Sequence, residues 1–238
     1  MSMKKFELAL EEYRYLREKA YPEKASLNLV GDRHRLSRME RNTLFRGVIP
    51  TSAAEARKGK LVSSASMRGQ GLGIDWYNVL ITVESFLRGF PLFVSDDGIT
   101  RDSSATHGSY RRSAITDRAV AAILDALSSL APARLDAFLD SPIAFSGLMA
   151  EEMRGRFASL SIPFEVTLEH TADYPLKSYD GVVASSDSVI LDSARKVLDL
   201  PRVVVETGFG FTPPSLDALP SSFPKGFGQS SGSENPAP

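Results

Sequence analysis

The stretch Leu72-Gly73-Ile74-Asp75-Trp76-Tyr77-Asn78-Val79-Leu80-Ile81 decides the fold. A short apolar run ends at an acid, and a second apolar run starts at Val79, after three intervening residues. The first run predicts a buried strand over residues 72–75, and the second predicts a helix over residues 78–88. A strand that leads directly into a helix is typical of an α/β protein with a parallel sheet.

The same alternation continues through the rest of the chain, so we expect a central, mostly parallel sheet with helices on both faces. Further strands are predicted at residues 91–95, 135–139, 164–168, 181–184 and 203–205, and further helices at 116–130, 146–160 and 188–198.

The first 50 residues predict a small, basic, all-helical region. Phe6, Leu10, Tyr13 and Leu16 recur at helical spacing, and two shorter helices are expected over residues 22–29 and 37–47. Residues 1–60 contain fourteen Lys and Arg against eight Asp and Glu, whereas the whole chain has a net charge of -1. A helix, a short connection and a basic helix are compatible with nucleic-acid contact. The candidate contacts are Arg33, Arg35, Arg38 and Arg41.

Composition limits the remaining organisation. With no cysteine among 238 residues, disulfides, thiolate metal sites and cysteine nucleophiles are excluded. No apolar run approaches the roughly 20 residues that cross a bilayer, so we expect a cytoplasmic protein without membrane contact. The low periodicity of residues 51–71 predicts a linker, residues 72–210 are expected to form the catalytic domain, and the Pro-, Ser- and Gly-rich residues 211–238 predict a disordered tail.

Acids recur where the predicted strands end. Asp75, Asp140, Asp173 and Asp187 all follow apolar runs. Because the carboxyl ends of parallel strands meet at one edge of a sheet, these carboxylates are expected to lie close together. Carboxylates held close together repel unless a cation neutralises them, and oxygen ligands suit Mg²⁺ or Mn²⁺. The alternative is that each Asp caps a helix or begins a turn, which suits Asp187 best.

Several blocks resemble the NYN branch of the PIN-like ribonucleases. Ile74-Asp75-Trp76-Tyr77-Asn78 is similar to the opening strand of that branch, Phe138-Leu139-Asp140 to its second acidic strand end, and Thr171-Ala172-Asp173 with Val183-Ala184-Ser185-Ser186-Asp187 to its closing pair. Residues 1 to about 205 also resemble an uncharacterised prokaryotic family that joins a helical N-terminal region to a PIN-like part.

This resemblance implies a PIN-like three-layer sandwich and metal-dependent hydrolysis of RNA. Asp75, Asp140, Asp173 and Asp187 would be catalytic, and Asp75, Asp140 and Asp187 would bind Mg²⁺ or Mn²⁺. Asn78 would hold the first Asp or a phosphate, unless it only caps the following helix. Glu84 is a secondary acid on the same helix. Only residues 174–180 separate Asp173 from the next strand, so antiparallel pairing is an alternative at that edge.

Other residues are weaker candidates. The turn-rich segment of residues 95–103 is interpreted either as a tight loop or as an additional metal and substrate loop, with Asp96, Asp97 and Asp102 as acids and Arg101 on phosphate. His107, Arg111 and Arg112 are candidate RNA contacts. Of Trp76 and Tyr77, one is expected in the core and the other at the mouth of the cleft.

Two other enzyme classes fit poorly. A haloacid dehalogenase-type phosphatase needs an Asp two residues after the first, where this chain has Tyr77, and Gly69-Gln70-Gly71-Leu72-Gly73 precedes its strand rather than following it, unlike a dinucleotide-binding loop. The main hypothesis is a metal-dependent ribonuclease. The alternative is a non-catalytic nucleic-acid-binding or regulatory protein that uses the basic N-terminal helices, and a homo-oligomer is left open.

Overall fold

The N-terminal region is helical, as predicted. A computed structural model describes residues 3–104 and 110–219 of the chain. It begins with α1 (Met3–Glu18), α2 (Glu23–Arg33) and α3 (Arg38–Gly47). Ser37 and Glu40 form the capping box that starts α3, since the Ser37 hydroxyl accepts from the Glu40 amide and the Glu40 carboxylate accepts from the Ser37 amide. The apolar faces of these helices enclose a small core that includes Phe6, Tyr13 and Leu44.

The predicted linker is largely structured. It contains α4 (Thr51–Lys58), which Pro50 precedes, because alanines supply the helical propensity that the absence of apolar periodicity concealed. Beyond this helix, the Val62 amide donates to the Val197 carbonyl at 2.9 Å and the Val197 amide donates to the Lys60 carbonyl at 2.8 Å. The segment therefore joins the edge of the sheet.

A parallel sheet forms the centre of the molecule. The strands in the described ranges are β1 (Gly71–Asp75), β2 (Leu92–Val94), β3 (Thr100–Asp102), β4 (Arg134–Asp140), β5 (Phe164–Glu169), β6 (Val182–Ala184) and β7 (Lys196–Val197). The sheet has the order β5-β4-β1-β6-β7, and each neighbouring pair is parallel. The antiparallel alternative near Asp173 is therefore wrong.

Helices cover both faces of this sheet. They are α5 (Trp76–Leu87), α6 (Ala114–Leu130), α7 (Ser146–Phe157), α8 (Asp173–Lys177), α9 (Ser188–Ser193) and α10 (Leu200–Phe209). Alternate strand residues point to opposite faces: Leu72 and Ile74 pack with α5, α6, α7 and α10, whereas Val183 packs with α8 and α9. A Cβ on Gly73 would lie 3.0 Å from Leu176 and Tyr179, so glycine there lets α8 pack closely against β1.

Four segments differ from the prediction. The helix expected over residues 188–198 ends at Ser193, and Lys196–Val197 form β7 instead, because the backbone of Val197 bonds to that of Lys60 and Val62. Residues 203–205 belong to α10 rather than to a strand, because Val204 and Val205 lie with Leu200 and Pro201 on the buried face of a helix that Asp199 caps and that has Pro201 in its first turn. Residues 91–95 contribute β2, which pairs with β3 in a separate antiparallel hairpin. Part of the expected disordered tail is packed: the ring of Phe211 lies 5.0 Å from that of Phe86, and Leu216 joins the N-terminal core. Residues 220–238 lie outside the described residues.

The strand order creates a switch point beside β1. From β1 the chain passes outward to β4 and β5, and it then returns to β6 and β7 on the other side of β1. In open parallel sheets, ligands bind at the carboxyl ends of the strands where the order reverses. None of the helices in the two described ranges is long and apolar enough to span a bilayer.

Candidate functional site

Three of the predicted carboxylates lie at the switch point. Asp75 is the last residue of β1, Asp140 is the last residue of its neighbour β4, and Asp187 follows β6 on the other side. The electrostatic influence of Asp140 and Asp187 reaches Asp75, because the negative charge of each contributes to its raised pKa. The structure therefore brings side chains that are up to 112 residues apart in sequence (187 minus 75) to one edge of the sheet.

Asp75 is the buried centre of this group. Asp75 as a whole is only 6% exposed. The Ser185 hydroxyl donates to Asp75 Oδ2 at 2.8 Å, and the Asn78 amide donates to Oδ1 at 3.4 Å. Burial is the main cause that raises the pKa of Asp75 to about 7; Asp140 and Asp187 add to the rise, while the two hydrogen bonds oppose it. Ionised Asp75 is thus costly without a compensating positive charge.

Asp140 and Asp187 each have one oxygen engaged in local structure. Asp140 Oδ1 accepts from the Ala172 amide at 2.9 Å, which fixes the start of α8. Asp187 Oδ1 accepts from the Val189 amide at 2.8 Å and caps α9. Within the described ranges, Oδ2 of both residues has no hydrogen-bond partner. The capping role expected for Asp187 therefore occupies one oxygen and leaves the second for another role.

Asp173 and Asn78 complete the edge in different ways. Burial raises the pKa of Asp173 above its ordinary value, and the charges of Asp187 and Asp140 add to this effect, so Asp173 shares their electrostatic environment. Asn78 Oδ1 accepts from the amide and the hydroxyl of Ser186 at 2.8 and 2.9 Å. Asp75 caps α5, so the side chain of Asn78 instead fixes the loop that carries Asp187.

The donor chemistry of this edge fits a hard cation, but its present arrangement is open. In residues 3–104 and 110–219, no three Asp, Glu or His side chains are arranged to hold a metal ion. Mg²⁺ usually keeps several waters and binds through one or two carboxylates together with substrate phosphates. Two unpaired Oδ2 atoms beside a buried carboxylate therefore suit such an ion without a closed protein cage.

Glu84 does not reach this edge. It is buried, and its carboxylate accepts from Thr116 Oγ1 at 2.6 Å, from Tyr110 Oη at 3.0 Å and from Arg88 at 2.8 Å. Glu84 is therefore not a secondary acid of the site, because its carboxylate oxygens are used by hydrogen bonds that join α5 to α6.

The acids of the turn-rich segment are also engaged elsewhere. Asp96 pairs with Arg14 of α1 at 2.6 Å, and fully buried Asp102 pairs with Arg46 of α3. Both bonds hold the hairpin against the N-terminal helices. Neither acid belongs to the candidate site, so the additional metal loop is wrong.

Asp97 and Arg101 form a fully enclosed ion pair. Arg101 is 3% exposed and binds both oxygens of Asp97, at 2.6 and 2.9 Å. Burial alone would raise the pKa of Asp97, but Arg101, Ser95 and Arg57 hold it well below its ordinary value. Arg101 also donates to the Ser186 carbonyl at 3.1 Å. The prediction that Arg101 contacts phosphate is therefore wrong: it supports the loop before Asp187 from beneath.

A groove of about 870 Å³ opens beside this edge. Its wall includes Tyr77, and the charge of Asp140 contributes to the raised pKa of the Tyr77 hydroxyl, about 12, whose main cause is burial. Trp76 is fully buried against Phe157, and Tyr77, which lines the groove, is itself only 2% exposed and belongs to the same core, so the expected division between core and cleft is met only in part. The lining residues are Tyr77, Tyr110, Arg111, Arg112 and the loop and helix residues 142–145, 148 and 149.

The predicted basic contacts differ in availability. Arg111 is exposed and has no ion-pair partner among the described residues, whereas Arg112 pairs with Glu152 and Asp117. His107 lies outside the described residues. In the N-terminal region, Arg33, Arg35 and Arg38 are exposed, but Arg41 is half-buried and bonded to Asp32 and the Leu36 carbonyl.

Sequence reasoning missed two residues of the site. Ser185 belongs to a Ser-rich strand end for which the sequence predicts no separate role, yet its hydroxyl donates to the central carboxylate of Asp75. Phe145 lines the groove and is absent from the predicted site residues, although an apolar aromatic residue in the short connection between Pro142 and Gly147 suits a loop poorly. That mismatch was the available signal.

Fold and site together define an α/β protein with a five-stranded parallel sheet and acidic side chains at its switch point. The chain belongs to the family described as a domain of unknown function, DUF5616, whose model matches residues 64–203. Residues 5–60 match the model described as a protein of unknown function, DUF434. An uncharacterized protein of Methanocaldococcus jannaschii is 31% identical over 202 residues, which cover 84% of this chain and 96% of that protein. No solved structure matches the chain.

Proposed function

We propose that this protein is a divalent-metal-dependent ribonuclease with a PIN-like fold. The observation that carries the proposal is the position of Asp75, Asp140 and Asp187 at or just beyond the carboxyl ends of three neighbouring strands around the switch point, where the charges of Asp140 and Asp187 add to the raised pKa of Asp75. A buried acid whose ionisation is opposed by two neighbouring acids is typical of functional sites. The resemblance to NYN-type ribonucleases supports the same reaction.

The chain's own residues supply position and charge. Asp75 would hold a cation from the floor of the site, while Oδ2 of Asp140 and of Asp187 would bind it directly or through water. Asn78 and Ser185 keep two of these acids in place, since they bond to the loop before Asp187 and to Asp75 respectively. When bound, Mg²⁺ or Mn²⁺ would lower the pKa of a water and offset charge on a phosphodiester.

Cleavage of labelled single-stranded RNA by the full chain tests the proposal. We expect cleavage with Mg²⁺ or Mn²⁺, none with chelator, and strong loss in Asp75→Asn and Asp187→Asn. Asparagine keeps an oxygen acceptor and caps a helix as well as aspartate does, so these variants remove charge while preserving the fold. Asp125→Asn is the control, because Asp125 is an exposed acid on α6.

Two outcomes oppose the proposal. Cleavage that survives in Asp75→Asn and Asp187→Asn at the wild-type rate would mean that these acids are not the reactive group. Tight RNA binding without cleavage in any metal would instead favour the non-catalytic binding protein, for which the exposed Arg33, Arg35 and Arg38 are the supporting observation.

A further inference from the structure

The groove beside Asp140 exposes an aromatic ring in an unusual backbone conformation. Phe145 is 80% exposed and has φ 64° and ψ 20°, in the left-handed region that disfavours residues with a side chain. Leu148, in the first turn of α7, is 68% exposed in the same groove. Neither apolar side chain contributes to the core, and strained residues that persist in folded proteins cluster at ligand clamps.

Two further aromatic residues line the groove and are held in place by packing and hydrogen bonds. The rings of Tyr77 and Tyr110 pack 5.1 Å apart, and Tyr110 is anchored by its bonds to Glu84 and Thr116. Arg111 lies at the rim and is exposed, without an ion-pair partner among the described residues. An aromatic surface with a free guanidinium beside it suits a ligand that has flat apolar rings joined by negative charges.

We propose that this groove binds single-stranded RNA, with one base stacked on Phe145 and an adjoining phosphate held by Arg111. The inference rests on the proposed function, because one residue, Ser141, separates Asp140 from Pro142, the first loop residue of the lining, and the RNA strand would then pass from the groove to the carboxylates. Aromatic side chains stack on bases of any sequence when those bases are unpaired. A duplex hides these faces, so the groove selects single strands.

Binding to the full chain in chelator tests the proposal without cleavage. The probe is a mixed-sequence single-stranded oligoribonucleotide that contains 2-aminopurine, whose fluorescence falls on stacking. We expect Phe145→Ala to weaken binding about 5- to 150-fold, as loss of one base stack does, and Phe145→Trp to restore it. Tyr21→Ala, which removes an aromatic residue that is exposed outside the groove, is the matched control.

A second variant tests the phosphate contact. Arg111→Ala should weaken single-stranded and duplex RNA alike and should lower the dependence of log affinity on log salt by about one. Phe145→Ala should leave duplex affinity and this salt dependence unchanged. Thermal melting of each variant, which should match that of the wild type within a few degrees, separates loss of contact from loss of fold.

Three results would overturn the inference. The first is wild-type affinity in Phe145→Ala, and the second is failure of Phe145→Trp to restore binding in a folded protein. The third is loss of self-association, rather than of RNA binding, in Phe145→Ala, which would assign the groove to protein contact. The ribonuclease proposal can fail separately. RNA binding that depends on Phe145 but is not accompanied by metal-dependent cleavage would refute only the ribonuclease proposal. Cleavage whose kcat/KM is unchanged in Phe145→Ala would refute only the base stacking on Phe145.

Discussion

Replacing Asp75 with asparagine should stabilise the metal-free protein at alkaline pH and much less at acidic pH. The pKa of Asp75 rises from its ordinary 3.8 to about 7 in the folded state. Each pKa unit corresponds to about 1.4 kcal/mol, so ionising Asp75 costs the folded protein about 4 kcal/mol. Because the folded pKa is raised, the contribution of protonated Asp75 to the stability of the wild type is fully present below pH 3.8 and is lost as the pH rises through 7.

Asparagine cannot ionise, so Asp75→Asn escapes this loss. About 3 kcal/mol of the cost of ionising Asp75 arises between pH 5 and pH 8. The free energy of unfolding of the variant, relative to that of the wild type, should therefore increase by about 3 kcal/mol over this range. Urea denaturation at several pH values in chelator measures the difference. Asp125→Asn, with its exposed acid, should show no such trend.

Manganese provides the second half of the test. A cation at Asp75 favours the charged carboxylate, so Mn²⁺ should stabilise the wild type at pH 8 by about 2.7 kcal/mol at one hundred times its Kd. Asp75→Asn should respond much less. A stability difference that stays constant from pH 5 to pH 8 would refute the reasoning, because burial and the neighbouring acids would then not disfavour the ionised form of Asp75.

Three further perturbations probe the surroundings. Ser185→Ala removes a hydrogen bond that lowers the pKa of Asp75, so the pH at which the wild-type stability loss ends should move upward in the same urea experiments; an unchanged profile would contradict the bond. Arg101→Met leaves the buried carboxylate of Asp97 with only part of the positive charge that now surrounds it, so it should destabilise the fold by about 3–5 kcal/mol at neutral pH. Denaturation measures this loss, and a loss below about 1 kcal/mol would count against the enclosed pair. Phe145→Gly should raise stability by about 1 kcal/mol, since glycine relieves the left-handed strain of roughly 1–2 kcal/mol at some entropic cost; lower stability would show that the ring contributes to the fold.

The placement of the acids could be predicted from sequence because it follows from topology. Once residues 72–75, 135–139 and 181–184 are recognised as parallel strands, Asp75, Asp140 and Asp187 must reach the same edge. The strand assignments themselves rested on apolar runs, and that signal failed for residues 203–205, where three valines suit either structure.

The fate of the charged residues between strands could not be predicted in the same way. Asp97 and Arg101 are four residues apart in a turn-rich segment, and nothing local reveals that the N-terminal helices and the β6–α9 loop enclose them. Phe145 is the opposite case, since an apolar residue that the sequence assigns to no core remains at the surface. Both outcomes depend on contacts made only after the chain is assembled.

The ion pair at Asp97 links the two family-matched segments in a way their boundaries conceal. Arg57 lies in the first segment, yet it donates to Asp97 at 3.0 Å and to the Ser188 hydroxyl at 3.3 Å in the second. A fragment that begins at residue 64 would lose this guanidinium together with the edge bridge at Leu61. The two segments should therefore unfold in one cooperative transition, and truncating the first would loosen the loop that carries Asp187 at a distance from the cut.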